Sequence, residues 1–261
     1  DRAAARASPM TLDAATLGIV WPALIAGLLV TATHVPLGIQ VLRRGIVFID
    51  LAVAQIAGLG VVIADRVGFE PQGVAVQIAA LAAALAGALL LNWTDKRWPE
   101  VQEAVIGVTF IVAANAAILL LASNPHGAEN LKDLLVGQIL WADPMRLVVV
   151  GAAYALILVL WFGLGERLGR IGFYLLFACA VTASVQLVGV YLVFTTLIVP
   201  ALATRGLAKR RLAVAYALGA LSYAIGLGLS LFSDMPPGPL IVCVMTALAL
   251  GPFVAWSQRA C

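Results

Sequence analysis

Three ionisable side chains, His34, Asp50 and Glu103, lie inside stretches that are otherwise almost wholly apolar. Asp50 falls six residues past Arg44 in VLRRGIVFIDLAVAQIAGLGVVIA, and Glu103 falls six residues past Arg97. Each spacing corresponds to about 9 Å along a helix from a basic boundary. His34 precedes Arg43 by nine residues, about 13 Å back along the preceding, antiparallel segment. One imidazole and two carboxylates can thus share a layer, a donor set that suits zinc or manganese better than an alkali ion. A carboxylate at the bilayer centre costs about 3 kcal/mol, so such a group normally pairs or lines a pathway. Ala54 and Ala57 share the helical face of Asp50 and leave room beside it. Two simpler roles compete with ligation. Asp50 could form a salt bridge with Arg43 or Arg44, and His34 could donate to the carbonyl of residue 32, freed by the ring of Pro36.

The segments that position these residues are hydrophobic. The 261-residue chain is 63% hydrophobic and 11% charged, with a mean hydropathy of +1.04, which places it among polytopic membrane proteins. A helix needs about 20 apolar residues to cross a bilayer. Candidate spans cover residues 15–42, 45–64, 73–93, 101–122, 147–165, 173–205, 212–232 and 239–257. The stretch 173–205 reads as two short crossings or as one crossing plus a half-helix, broken in its middle; with both flanks on the basic side it implies an all-α bundle of about eight or nine crossings. The basic turns (Arg43/Arg44, Lys96/Arg97, Arg167/Arg170, Arg205/Lys209/Arg210/Arg211 and Arg259) then share the cytoplasmic side. Nine crossings place the N-terminus on the opposite side.

Other signals limit the function. The net charge of +3 comes from short basic clusters between apolar runs and does not imply nucleic acid. No GxxxxGK[ST] phosphate loop occurs, so ATP is not bound by that motif. Cys179, Cys243 and Cys261 show no CxxC spacing and read as small apolar packing groups. Residues 1–10 read as a disordered or non-native tail ahead of Met10, and residues 11–261 as one transmembrane domain. The segment 123–145 is long and semi-amphipathic, suited to lie along or dip into the membrane. Its His126, Glu129 and Asp133 form a second polar cluster at a possible external entry, against the plainer reading of a solvated loop.

The ordered motifs resemble one family, the ABC transporter permeases for zinc and manganese uptake. VLRRGIVFIDLAVAQIAGLG is similar to their second-helix signature, an Arg pair followed by a Gly-Asp-Ala-x-x-His run. QEAVIGVTF, LLVGQILW, LVGVYLVFTTLIVPALATR and DMPPGPLIV resemble later segments of the same family in the same order, from about residue 20 to about residue 250. The resemblance implies a type II ABC importer-like permease that does no covalent chemistry and carries no permanent cofactor. Its partners would be a second permease copy, a cytoplasmic ATPase dimer and an extracytoplasmic metal-binding protein, in a bacterial inner membrane. GLGERLGRIGF falls where related permeases carry the helix that couples to the ATPase, and so assigns Gly165, Glu166, Arg167 and Arg170 to that contact. The family's metal-contacting Asp matches Asp50, but its His position is Ala54, with Gln55 beside it. His34 is then the expected replacement imidazole, with Gln55, Ala54 and Gln186 (next to Val185) along the path.

The leading expectation is therefore an ATP-driven importer of a divalent metal, zinc ahead of manganese, working by alternating access. A wide, polar-poor path would favour metal chelates such as siderophores or cobalamin. A membrane assembly or sensor protein without transport is the alternative of another class.

Overall fold

The computed structural model describes residues 14–70, 73–121, 135, 137, 139–141, 143–207, 209–233 and 235–260. Nine α-helices account for nearly all of them: α1 (Ala14–Arg44), α2 (Ile49–Arg66), α3 (Val74–Arg97), α4 (Gln102–Leu121), α5 (Pro144–Leu164), α6 (Gly169–Val188), α7 (Val190–Ala203), α8 (Arg211–Ser233) and α9 (Pro237–Ala260). No strand occurs among the described residues. Six of the helices are long and apolar enough to cross a membrane. The exceptions are α2, which carries Asp50, Asp65 and Arg66, the 14-residue α7, and α9, whose described apolar stretch is short.

The first turn of the bundle shows how sequence sets geometry. After the Arg pair, Gly45 takes a positive φ of 71°, and Ile46 N–H reaches the Val41 carbonyl while Gly45 N–H reaches that of Leu42. This is a Schellman cap, which satisfies the last carbonyls of α1 and needs a residue tolerant of the left-handed region. The chain then turns through residues 45–48, and α2 begins only at Ile49. The sequence expectation of a helix from residue 45 is thereby corrected. Asp50 stands in the first turn of α2, not a turn and a half above the basic boundary.

The stretch 173–205 breaks as expected, into α6 and α7 at Gly189. With φ 81° and ψ 162°, Gly189 occupies a region that is essentially glycine-only. Gly137, also at positive φ, is packed so closely that an added Cβ would run into the Val188 carbonyl and the Gly189 nitrogen. The segment before α5 therefore reaches inward to the break, where Ile139 is fully enclosed. At about 21 Å, α7 is shorter than the roughly 30 Å hydrocarbon core. It is buried nearly all round, packed on α1, α8 and α9.

Close approach explains the remaining core. On α1, Gly27 meets the Tyr223 ring, Gly38 meets the Leu197 carbonyl, and Thr31 meets Gly219, so one small-residue stripe faces α7 and α8. On the other side of the bundle, α2 packs on α3 and α4, with Gly60 against Ala79 and Ala83 and Gly87 against Ile56. Small residues of this kind allow backbones to approach where lipid offers no hydrophobic drive. Buried hydroxyls mostly return to their own helix: Thr31, Thr196, Ser184 and Ser222 each donate to the carbonyl four residues back.

Gly189→Ala should cost about 1–3 kcal/mol, because alanine must enter a glycine-only backbone region. The expected reading is a lower midpoint of thermal unfolding in detergent, whereas Gly163→Ala, where nothing crowds an added Cβ, should leave the midpoint unchanged.

Candidate functional site

Asp50 is 1% exposed and its Oδ1 has no hydrogen-bond partner. What steadies its carboxylate is the helix start itself, for the N–H groups of Asp50 and Leu51 face it. A helix N-terminus carries roughly half a positive charge, which favours an anion there. Arg44 is not its counter-ion; the guanidinium lies over the Phe173 ring, 4.2 Å from the centroid.

Glu103 approaches the same turn from α4. Its Oε1 accepts the N–H of Phe48, the residue just before α2, at 3.3 Å, while Oε2 is enclosed without a partner. The expected common level of Asp50 and Glu103 is therefore observed, at the adjoining starts of α2 and α4.

His34 stands elsewhere. It shares the α1 stripe with Thr31 and Gly38, which faces α7 and α8, whereas α2 packs chiefly on α3 and α4. Its Nδ1–H donates to the Val30 carbonyl at 3.0 Å, with Thr33 Oγ1 also 3.0 Å from that nitrogen, and Nε2 is left unpartnered. The carbonyl freed by Pro36 belongs to Ala32, and the hydroxyl of Tyr216 on α8 takes it at 3.0 Å. Among the described residues, no three His, Cys, Asp or Glu side chains converge on a point that could hold a metal.

Ala54 and Ala57 do not leave space beside Asp50. Both lie within the hydrophobic core, filled in by neighbouring helices. The open volume lies one step round α2, along Leu51 and Gln55. There a cavity of about 720 Å³ runs between α2, α4, α7 and α9, with Leu135 at its side. Phe110, Val190, Phe194 and Val242 make it largely apolar, and Gln55, Tyr191, Thr195 and Cys243 supply its polar atoms. Thr195 Oγ1 already bonds the Tyr191 carbonyl at 2.8 Å. The Gln55 amide is buried, 4% exposed. Gln186 is exposed on α6 and does not line this cavity. Sequence reasoning missed the cavity's α7 wall; the available signal was the run of aromatic and hydroxyl residues directly after Gly189.

At the basic end, Gly165–Leu168 forms a 3-10 turn leading into α6. Arg167 is exposed, and Arg170 pairs with Asp95 of α3 at 2.9 Å. The side-chain surroundings of Gly165 and Glu166 lie outside the described residues, as do His126, Glu129, Asp133 and the tail 1–10.

The chain matches the ABC 3 transport family over residues 17–171 and 161–255. It belongs to that family. It is accordingly a multi-pass membrane permease, the transport subunit of an ABC system. The permease is 27% identical over 199 residues to a Haemophilus influenzae protein described as a probable iron transport system membrane protein, covering 68% of this chain and 70% of that one. It is 26% identical over 216 residues to the chelated iron transport system membrane protein of Yersinia pestis, covering 74% and 71%. Its fold resembles that of PsaBC from Streptococcus pneumoniae, solved with a Fab, at a TM-score of 0.73 and 19% identity, over 90% of this chain and 91% of that one.

Two substitutions separate fold from function at this site. Tyr216→Phe strands the Ala32 carbonyl and should lower stability by about 1–3 kcal/mol. Asp50→Asn removes a buried, half-unpartnered charge and should leave thermal stability unchanged or raised. Thermal unfolding of the two variants in the same detergent checks both.

Proposed function

We propose that this permease imports a hard first-row divalent metal ion, manganese or ferrous iron ahead of zinc, by alternating access in a bacterial inner membrane. It works as one of two copies, driven by a cytoplasmic ATPase dimer and supplied by an extracytoplasmic binding protein. The carrying observation is Asp50: a buried carboxylate with a free oxygen, one residue before cavity-lining Leu51. An intramembrane carboxylate without a partner is a functional residue by default. The metal preference follows from donor chemistry. Without a converging imidazole, the candidate donors on α2 are oxygens, the Asp50 carboxylate and, on the cavity face, the Gln55 amide, and oxygen donors suit manganese better than zinc. The names of the two iron-transport relatives support the same direction.

One observation favours the chelate reading as well. The cavity is wide and apolar, large enough for a small chelate and larger than a bare ion requires. Membership of a transport family speaks against the non-transporting alternative.

Reconstituted vesicles holding permease, ATPase and binding protein should accumulate manganese or ferrous ions when ATP is supplied. Asp50→Asn should cut that accumulation about tenfold or more, the scale seen when a metal's supporting groups are lost. Uptake of a ferric chelate without uptake of either ion would establish the second reading instead. For His34→Ala, uptake should follow the surviving folded fraction; loss of uptake in fully folded protein would return the imidazole to the ligand set.

A further inference from the structure

Four helix termini meet at the basic end, and an almost continuous set of contacts runs between them. In the first turn of α6, Arg170 donates through Nη1 to the carboxylate and to the backbone carbonyl of Asp95, each at 2.9 Å. The neighbour of Asp95, Thr94, donates to Gln102 Oε1 at 3.0 Å. Gln102 Nε2 in turn donates to the Leu91 carbonyl at 2.9 Å and to the Tyr174 hydroxyl at 3.4 Å. Both Thr94 and Gln102 are buried. Directly after Gln102 comes Glu103, which accepts the Phe48 N–H two residues before Asp50. Two adjacent side chains at the start of α4 therefore hold, on one side, the end of α3 and the start of α6, and on the other the start of α2.

We propose that Gln102 and Glu103 are the positioning residues that carry movement of the turn Gly165–Leu168 to the Asp50-bearing turn of α2. This rests on the importer reading, in which that turn contacts the ATPase. The physical basis is that the central links, from Gln102 to Thr94, Leu91 and Tyr174 of α6, are buried and cannot be exchanged for water, while the outer links at Arg170 and Phe48 lie nearer solvent. A displaced α6 must carry its partners with it or leave polar groups unpaired in a medium of low dielectric. Arg170 pulls on Asp95, the α3 end moves with Gln102, and Glu103 moves the Phe48 N–H. Asp50 is re-aimed without itself touching the ATPase.

A purely stabilising role and a metal-contact role for Glu103 predict different results. The test measures manganese and ferrous ion uptake and ATP hydrolysis in the same vesicles, with permease, ATPase and binding protein all present. Glu103→Ala and Gln102→Ala should each keep ATP hydrolysis within about twofold of wild type and lower ions imported per ATP by about three- to tenfold. Glu103→Gln retains an acceptor for the Phe48 N–H and should restore the wild-type ratio. The double alanine variant should be no worse than either single one, because the two residues act in one chain. If Glu103→Ala does not assemble, Asp95→Ala removes the carboxylate that Arg170 holds, outside the residues assigned to the ATPase contact, and should show the same loss of ratio with ATPase still bound. A wild-type ratio in the alanine variants overturns the inference. Loss of uptake in Glu103→Gln equal to that in Glu103→Ala also overturns it and makes Glu103 a metal contact. If the wild-type complex itself hydrolyses ATP but imports neither ion, the importer reading fails, and the inference falls with it.

Discussion

Inside a bilayer a backbone N–H or carbonyl has no water to turn to, and this constraint governs each place where the permease leaves regular helix. At the α1–α2 corner the last carbonyls of α1 are closed by Gly45 and Ile46, and the exposed N–H of Phe48 is met from α4 by Glu103. At the α6–α7 break, Gly189 supplies a backbone conformation that other residues reach only with strain, and Gly137 presses a second chain segment against it. In α1, Pro36 frees one carbonyl, and Tyr216 closes it from α8. At Phe48 and at Ala32 the partner comes from another helix, and those contacts tie the bundle together.

The same constraint explains where charge is tolerated. Asp50 survives burial because it sits on the N-terminal end of α2, where its own and the following N–H supply positive potential. Glu103 survives because it caps that end. Neither needs a basic partner, which frees Arg44 to lie over Phe173 and Arg170 to bind Asp95. Backbone N–H groups thus offset part of the cost of burying these carboxylates, and burial remains the larger effect. One oxygen on each carboxylate stays uncommitted.

Much of this fold was legible in the sequence. The apolar runs and a break within 173–205 follow from local chemistry, and the structure follows them. Two features of the site were not legible, for different reasons. Asp50 was placed too high because residues 45–48 are as apolar as the helix they precede, so composition alone could not show the turn. The facing of His34 is not legible because depth along a helix says nothing about rotation around it. Rotation is fixed by Gly27, Thr31 and Gly38, whose small side chains were visible. The helices they pack against depend on contacts nearly two hundred residues away, such as Gly27 with Tyr223.

The cavity follows from the same logic of rotation. Along α2, the face of Ala54 and Ala57 is small and therefore attracts neighbouring helices, which fill it. The adjacent face carries Leu51 and Gln55, whose longer side chains hold α7 and α9 away, and open volume remains there. Small residues in a membrane bundle thus mark contact, and space appears beside larger ones. A histidine at position 54 would point into packed core in this conformation, whereas Gln55 faces the open side.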